Sequence, residues 1–138
     1  MAGSLSAEEV ARVAEFRAAL RRFLRTTERN AQAARLTPQR YLLLLMIKGA
    51  PDLSEQSTVT ELAERLQLAQ STVTELVTRA EESGLVERER STADGRIAHL
   101  RLSAEGERRL AQAFTSNESE RRALHQAFEH LEGHVLAV

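Results

Sequence analysis

The 138-residue sequence predicts a mainly α-helical fold that contains one small β-hairpin. Apolar residues recur at spacings of three and four over two long stretches, one near each end of the chain, and this period is typical of amphipathic helices. Two short alternating segments flank Ser91–Gly95, which has the composition of a turn, and they predict the hairpin. Only two prolines interrupt the chain, so its helices can be long.

Composition excludes several classes of protein and of site. The chain is 28% charged and 42% hydrophobic, and its longest apolar run, residues 41–47, is much shorter than the roughly 20 residues of a membrane-spanning helix. Because cysteine is absent, disulfides, thiolate zinc sites and cysteine nucleophiles are excluded. The first residues show no secretory signal pattern, so we expect a soluble, cytoplasmic protein with no membrane partner.

Net charge alone does not identify a partner. The chain has 19 basic and 20 acidic residues and a net charge of −1, whereas nucleic-acid-binding domains are usually basic. The charges are unevenly distributed, because residues 8–35 contain seven arginines and four glutamates while residues 102–138 contain four arginines and six glutamates. Charge therefore neither requires nor excludes a nucleic-acid partner.

Long amphipathic helices are predicted at both ends of the chain. Ser6 begins the first with a capping-box pattern, and this helix can run to about Arg35 with an apolar stripe from Val10 to Thr27. The last helix begins after Ser103 and carries a stripe from Leu110 to Val135. The two stripes have more apolar surface than one small subunit can cover, so we predict a homodimer.

The last helix has two possible forms. We favour one continuous helix to about Glu132, because its apolar stripe continues past a polar interruption at Asn117. A break near Ser116–Asn117 is the alternative.

Three shorter helices are predicted between the long ones. The first, Pro38 to about Lys48, is apolar nearly all round and belongs in the middle of the fold. The hexamer Ser-Thr-Val-Thr-Glu-Leu then occurs at residues 57–62 and again at 71–76, each copy with a Thr-x-x-Glu capping box that starts at Thr58 or Thr72. Two helices so closely spaced are typical of a helix-turn-helix.

The hairpin follows this pair directly. Gly84 is expected in the left-handed conformation at the end of the second helix, and the strands are predicted at Leu85–Arg90 and Ile97–Leu102. A helix-turn-helix followed by a hairpin is a winged helix, whose second helix enters the major groove of DNA while the wing reaches phosphates or the minor groove.

The exposed face of the second helix carries groups that can contact DNA. Short hydroxyls, an amide and an arginine suit phosphates and base edges, although any amphipathic helix also exposes polar residues. The carboxylate of Glu75 would repel phosphates, but it could accept a hydrogen bond from a cytosine amino group or act as the capping partner of Thr72. The candidate contacts on this helix are Gln70, Ser71, Thr72, Thr74, Glu75 and Arg79.

From Leu36 to Gly106 the sequence resembles the multiple-antibiotic-resistance regulator (MarR) family of bacterial winged-helix repressors. The most specific matching motif is Gly84-Leu85-Val86-Glu87-Arg88, followed by Asp94-Gly95-Arg96 and Leu102-Ser103-Ala104-Glu105-Gly106 without insertion. The other matching motifs are Leu36-Thr37-Pro38-Gln39, Glu61-Leu62-Ala63-Glu64-Arg65-Leu66 and Gln70-Ser71-Thr72-Val73-Thr74. Where the family usually has a capping Ser or Thr, this chain has Ala69, so the second helix is expected to begin a residue or two later.

The resemblance implies a homodimer that represses transcription from a pseudo-palindromic DNA site. It implies that Arg96 enters the minor groove and is held by Asp94, and the wing residues Arg88 and Arg90 complete the candidate set. It also implies release from DNA by a small, often aromatic, effector that binds between the dimerisation helices and the DNA-binding lobe. The expected division is an N-terminal dimerisation helix (1–36), a DNA-binding lobe (37–102) and a C-terminal dimerisation helix (103–138).

Other candidate sites are few. Tyr41 is the one candidate effector contact, although a core position with a hydrogen-bonded hydroxyl is the favoured interpretation. His130 and His134 have a spacing that zinc can use, but they are interpreted as surface residues, and Glu61 is expected to pair with Arg65.

No metal site, cofactor or catalytic group is expected, so the chain is not interpreted as an enzyme. The alternative function is a protein-interaction module that does not bind DNA.

Overall fold

The computed structural model describes residues 3–137, and the side chains up to Leu131. Its elements in chain order are α1 (Ala7–Ala33), α2 (Pro38–Lys48), α3 (Val59–Leu66), α4 (Gln70–Glu82), β1 (Val86–Arg90), β2 (Ala98–Leu102), α5 (Ala104–Ser116) and α6 (Glu118–Ala137). This order confirms the predicted mainly helical fold with one hairpin. Within the described residues, no helix is long and apolar enough to cross a membrane.

The chain divides into two compact units. Residues 31–113 form one, which we call the lobe, and the residues up to 30 together with those from 114 onward form the other, which we call the terminal-helix unit. Leu110 and Ala113 of α5 belong to the lobe's hydrophobic core.

The core of the lobe is built around α2, as its apolar sequence predicts. Leu43, Leu44 and Ile47 are completely buried. Burying each such side chain contributes roughly 1.5–3 kcal/mol. The elements around α2 add Leu62 from α3, Val73, Val77 and Ala80 from α4, and Leu85 and Leu100 from the hairpin region.

The hairpin is attached to the lobe at its base. Its strands are antiparallel, with Val86 opposite Leu102, and Ser57 pairs with Leu100 through two main-chain hydrogen bonds of 3.0 and 2.8 Å. Gly84 has φ +75°, the left-handed conformation that the sequence predicts at the end of α4. Ser57, two residues before α3, is thus paired with β2 of the wing.

The two copies of the hexamer form different structures. Thr58 caps α3 with a complete capping box, in which its hydroxyl accepts from the N–H of Glu61 and the Glu61 carboxylate accepts from the N–H of Thr58. The predicted second box at Thr72 is wrong, and so is the late start of α4. Gln67, at φ 57°, ends α3 in the left-handed conformation, and Val73 N–H then donates to Ala69 O, so that α4 begins at Gln70 and already contains Thr72.

Arg65 binds the end of α2, and Lys48, the last residue of this helix, pairs with two carboxylates. The predicted pair of Arg65 with Glu61 is wrong, because the Arg65 guanidinium donates to the carbonyl oxygens of Met46 and Gly49, at 2.9 and 3.1 Å. These carbonyls lie where a helix leaves its acceptors free. Lys48 forms ion pairs of 2.9 Å with Glu107 and 3.0 Å with Glu55, and the hydrogen bond that its Nζ donates to Glu107 is the main cause of its raised pKa.

The favoured single continuous helix is wrong, because α5 ends at Ser116 and α6 begins at Glu118, as in the alternative with a break. Asn117 lies in a turn and is only 1% exposed, and its Oδ1 accepts a 2.6 Å hydrogen bond from Nδ2 of Asn30 on α1. The Arg121 guanidinium donates to the main-chain oxygen of Phe114 and lies 3.9 Å from the centroid of its ring. The polar interruption in the stripe is therefore the point where the helix ends. The side chain of Val135 lies outside the described residues.

The different caps of α3 and α4 give a matched pair of substitutions. Thr58→Ala removes a capping hydroxyl and is expected to lower the free energy of unfolding by about 1 kcal/mol. Thr72→Ala, in the identical hexamer, removes an exposed hydroxyl that is not a cap and should change it by less than about 0.5 kcal/mol. Urea unfolding followed by circular dichroism measures both; equal losses would contradict the assignment of the cap.

Candidate nucleic-acid interface

The outer face of α4 carries every candidate residue predicted for this helix. Val73, Val77 and Ala80 are buried against the lobe, and Leu76 packs beside them, as the periodicity predicts. The six candidates on this helix are all exposed: Gln70, Ser71, Thr72, Thr74, Glu75 and Arg79.

Glu75 and Arg79 form an ion pair on this face. Arg79 Nη2 lies 2.6 Å from Glu75 Oε1, and both side chains are more than 60% exposed. Glu75 therefore does not act as the capping partner of Thr72, which was one of its predicted roles. The pair presents a carboxylate and a guanidinium together to solvent, one helical turn apart.

The first turn of α4 has no side-chain cap. Ala69 has no side-chain oxygen that can accept from the main-chain N–H groups of the first turn, whereas the Thr58 hydroxyl fills this role in α3. The N-terminus of a helix carries a partial positive charge, and uncapped N–H groups there are suited to anions such as phosphate.

Arg96 extends from the tip of the wing. Its side chain is 95% exposed, and its Nε lies 3.6 Å from Oδ1 of Asp94. The same carboxylate oxygen accepts from the main-chain N–H of Arg96 at 3.0 Å, and Ser91 Oγ accepts from the N–H groups of Ala93 and Asp94. The turn is thus ordered by its own polar side chains, while most of the Arg96 guanidinium faces solvent.

The other two wing candidates have partners within the lobe. Arg88 donates to both carboxylate oxygens of Glu81 on α4, at 2.8 and 3.4 Å, and this hydrogen bonding raises the pKa of Arg88 above its ordinary value despite some desolvation. Arg90 Nη1 donates to the main-chain oxygen of Gly95 at 2.7 Å. These two arginines hold the wing to α4 and close its turn, so Arg96 is the wing candidate that extends into solvent.

A pocket lies beneath the wing, and no pattern in the sequence predicts it. It has a volume of about 420 Å³ and is lined by Thr58–Thr60 at the start of α3, by Arg88 and by Arg96–Ala98. The pairing of Ser57 with Leu100 brings the start of α3 to the hairpin. The lining combines two guanidinium groups with apolar surface from Val59 and Ile97.

The remaining candidates lie elsewhere. Tyr41 is 7% exposed in the core of the lobe and does not line the pocket beneath the wing. His130 is exposed and His134 lies outside the residues whose side chains are described. Among the described side chains, no three histidine, aspartate or glutamate residues lie close enough together to bind a metal ion.

Comparison with known proteins gives a consistent result. The model of the MarR family matches residues 36–97. An uncharacterized HTH-type transcriptional regulator of Bacillus subtilis, YsmB, is 31% identical over 93 residues, which are 67% of this chain and 61% of the relative. The chain therefore aligns with about three fifths of the length of that relative.

Solved structures have the same fold. A mutant MarR from E. coli complexed with operator DNA is 19% identical, with a TM-score of 0.67 over 97% of this chain and 99% of that one. The PcaV transcriptional regulator from Streptomyces coelicolor, in complex with its natural ligand, is 28% identical, with a TM-score of 0.51 over 68% of this chain and 61% of that one. The predicted winged helix-turn-helix is confirmed by these similarities.

Proposed function

Because this chain belongs to the MarR family, we propose that it is a sequence-specific DNA-binding transcriptional regulator that represses as a homodimer from a pseudo-palindromic operator. The observation that carries the proposal is Arg96, 95% exposed beside Asp94 on a wing that follows an exposed polar helix. The repressor role rests on the family resemblance. We also expect a cytoplasmic protein without enzymatic activity.

The two DNA-contacting elements would have different tasks. The polar face of α4 would lie in the major groove, where Gln70, Ser71 and Arg79 can reach base edges or phosphates, and the uncapped first turn would face a phosphate. Arg96 would enter the minor groove, whose narrow segments have an enhanced negative potential. Arginine suits that position because its guanidinium is more weakly hydrated than an ammonium group.

The dimer is supported by apolar side chains that the chain leaves exposed. Val10, Val13 and Leu24 of α1 are 47–51% exposed and repeat at helical spacing, and Phe114 and Phe128 are also more than 40% exposed. Large apolar side chains that stay exposed along a helix are typical of an interaction site, and a second copy of the chain would cover them symmetrically.

The effector is proposed to be a small aromatic acid that binds beneath the wing rather than at Tyr41. A carboxylate would pair with the guanidinium groups of Arg88 and Arg96, and a ring would pack on Val59 and Ile97. An anion held there would compete with DNA for Arg96, so ligand binding and DNA binding would oppose each other. The structure with the natural ligand of PcaV is a precedent for a ligand in a protein of this fold.

A protein-interaction module is the alternative function. The net charge of −1 and the acidic Glu75 favour it, whereas the exposed Arg96 favours DNA. Only phosphate binding gives a steep dependence of affinity on salt, so titration with random duplex DNA distinguishes the two.

Arg96→Ala tests the wing. Binding to selected and to random duplexes should weaken together, and the slope of log affinity against log salt should fall by about one per subunit, because one cation that displaces a counterion from the DNA is lost. Asp94→Ala should have a similar but smaller effect. Arg101→Ala is the matched control, since Arg101 lies in the same hairpin but pairs with Glu89. Unchanged binding by Arg96→Ala would support the interaction module.

Leu24→Glu tests the dimer. A charge in the proposed interface should convert a dimer at micromolar concentration into a monomer, as measured by sedimentation velocity. Leu53→Glu is the control, because Leu53 is 86% exposed in a loop of the lobe and should leave the dimer intact. A wild-type chain that sediments as a monomer would contradict the proposal.

Benzoate at millimolar concentration tests the effector pocket. It should weaken DNA binding, and bound DNA should weaken benzoate binding by the same factor, because the two ligands share Arg96. Calorimetry with and without duplex DNA measures this factor. Identical benzoate affinities in the two experiments would rule out competition between benzoate and DNA.

A further inference from the structure

We propose that Glu75 and Arg79 act as one specificity-determining pair that recognises a single G·C base pair in the major groove. This inference rests on the proposed DNA-binding function and assigns to one pair of side chains a preference that neither residue would have alone.

The pair lies within one helix, as do the pairs of Glu105 with Arg108 and Arg109 in α5, but it lies on the exposed face of α4 that carries the other candidate DNA contacts. Arg88–Glu81 joins β1 to α4, Arg101–Glu89 joins the two strands, and Lys48 joins α2 to α5. Arg79–Glu75 joins two residues of one helix on its solvent-exposed face, with side chains 62% and 64% exposed. An exposed pair of this kind contributes only about 0.3–0.5 kcal/mol to stability, so folding alone gives little reason for its position.

The hydrogen-bonding groups of the pair match one base pair. On the major-groove edge, guanine presents two acceptors, O6 and N7, and its partner cytosine presents one donor, N4. The Arg79 guanidinium has five N–H donors. Its Nη2 donates to Glu75 Oε1 at 2.6 Å. The remaining donors can bind O6 and N7, while the Glu75 carboxylate can accept from N4. At an A·T pair, the adenine amino group would instead oppose the arginine donors.

Glu75 also limits the binding of Arg79 to phosphate. An isolated exposed arginine attracts any phosphate and so raises affinity for every sequence. A carboxylate 2.6 Å from the guanidinium offsets that attraction and would itself be repelled by the phosphate backbone. The pair therefore lowers non-specific affinity while it favours one base pair.

Selection of bound sequences from random duplex DNA tests the pair. Wild-type protein should select G·C at one position in each half-site. Arg79→Gln should reduce that preference roughly 5–150-fold, the range expected for one bidentate base contact. Glu75→Gln should reduce it by a smaller factor, because an amide oxygen is a weaker acceptor than a carboxylate for cytosine N4. Glu75→Gln should also bind random DNA more tightly than wild type, whereas Arg79→Gln should bind it less tightly.

Glu82→Gln is the control for charge, because it removes an exposed carboxylate from the last turn of the same helix. It should leave the base preference unchanged. If wild type selects a defined site and both pair variants select the same site with the same preference, the inference is overturned while the proposed function stands. If wild-type protein selects no sequence at all, the proposed function fails together with the inference.

Discussion

The position of the wing depends on a junction at the base of the hairpin. Leu85 O accepts a 2.9 Å hydrogen bond from Ser103 N–H, and Ser103 Oγ donates to Gly84 O at 2.6 Å while it accepts from Gly106 N–H. A Cβ at Gly106 would lie 2.1 Å from Leu85 O, so only glycine lets α5 approach the residue before β1 so closely. The end of α4, both strands and the start of α5 therefore meet at one point, which fixes Arg96 relative to the exposed face of α4.

Local signals in the sequence predicted most of the lobe. Thr37–Pro38, Thr58 and Gly84 specify their helix ends through main-chain hydrogen bonds or left-handed φ angles that involve only neighbouring residues. The all-round apolar sequence of α2 likewise has one stable location, the core. The second hexamer shows the limit of such signals, because the same six residues form a capping box at Thr58 but lie inside a helix at Thr72, where the preceding turn already sets the start.

What the sequence could not predict depends on partners distant along the chain. The helix break at Asn117 is stabilised by Asn30, 87 residues earlier, and the pocket beneath the wing exists because Ser57 pairs with Leu100. The candidate site was predicted as a set of exposed residues, and on α4 all of them are exposed. The sequence did not predict that Arg88 binds Glu81 while Arg96 extends into solvent. An ion pair between β1 and α4 has no periodic pattern in the sequence.

These partners also explain why net charge is a poor guide to the function of this chain. Many arginines satisfy groups of the protein itself: Arg65, Arg90, Arg109 and Arg121 donate to main-chain carbonyl oxygens. Such guanidinium groups have fewer donors left for phosphate, so the number of basic residues overestimates the charge that DNA would meet. A nearly neutral chain can still bind DNA if its few outward-facing cations are placed together. In the lobe, Arg96 is an outward-facing cation on the wing. Arg79 is an outward-facing cation on α4, but it is paired with Glu75. Such an interface would rely on the choice of base contacts more than on attraction to the phosphate backbone.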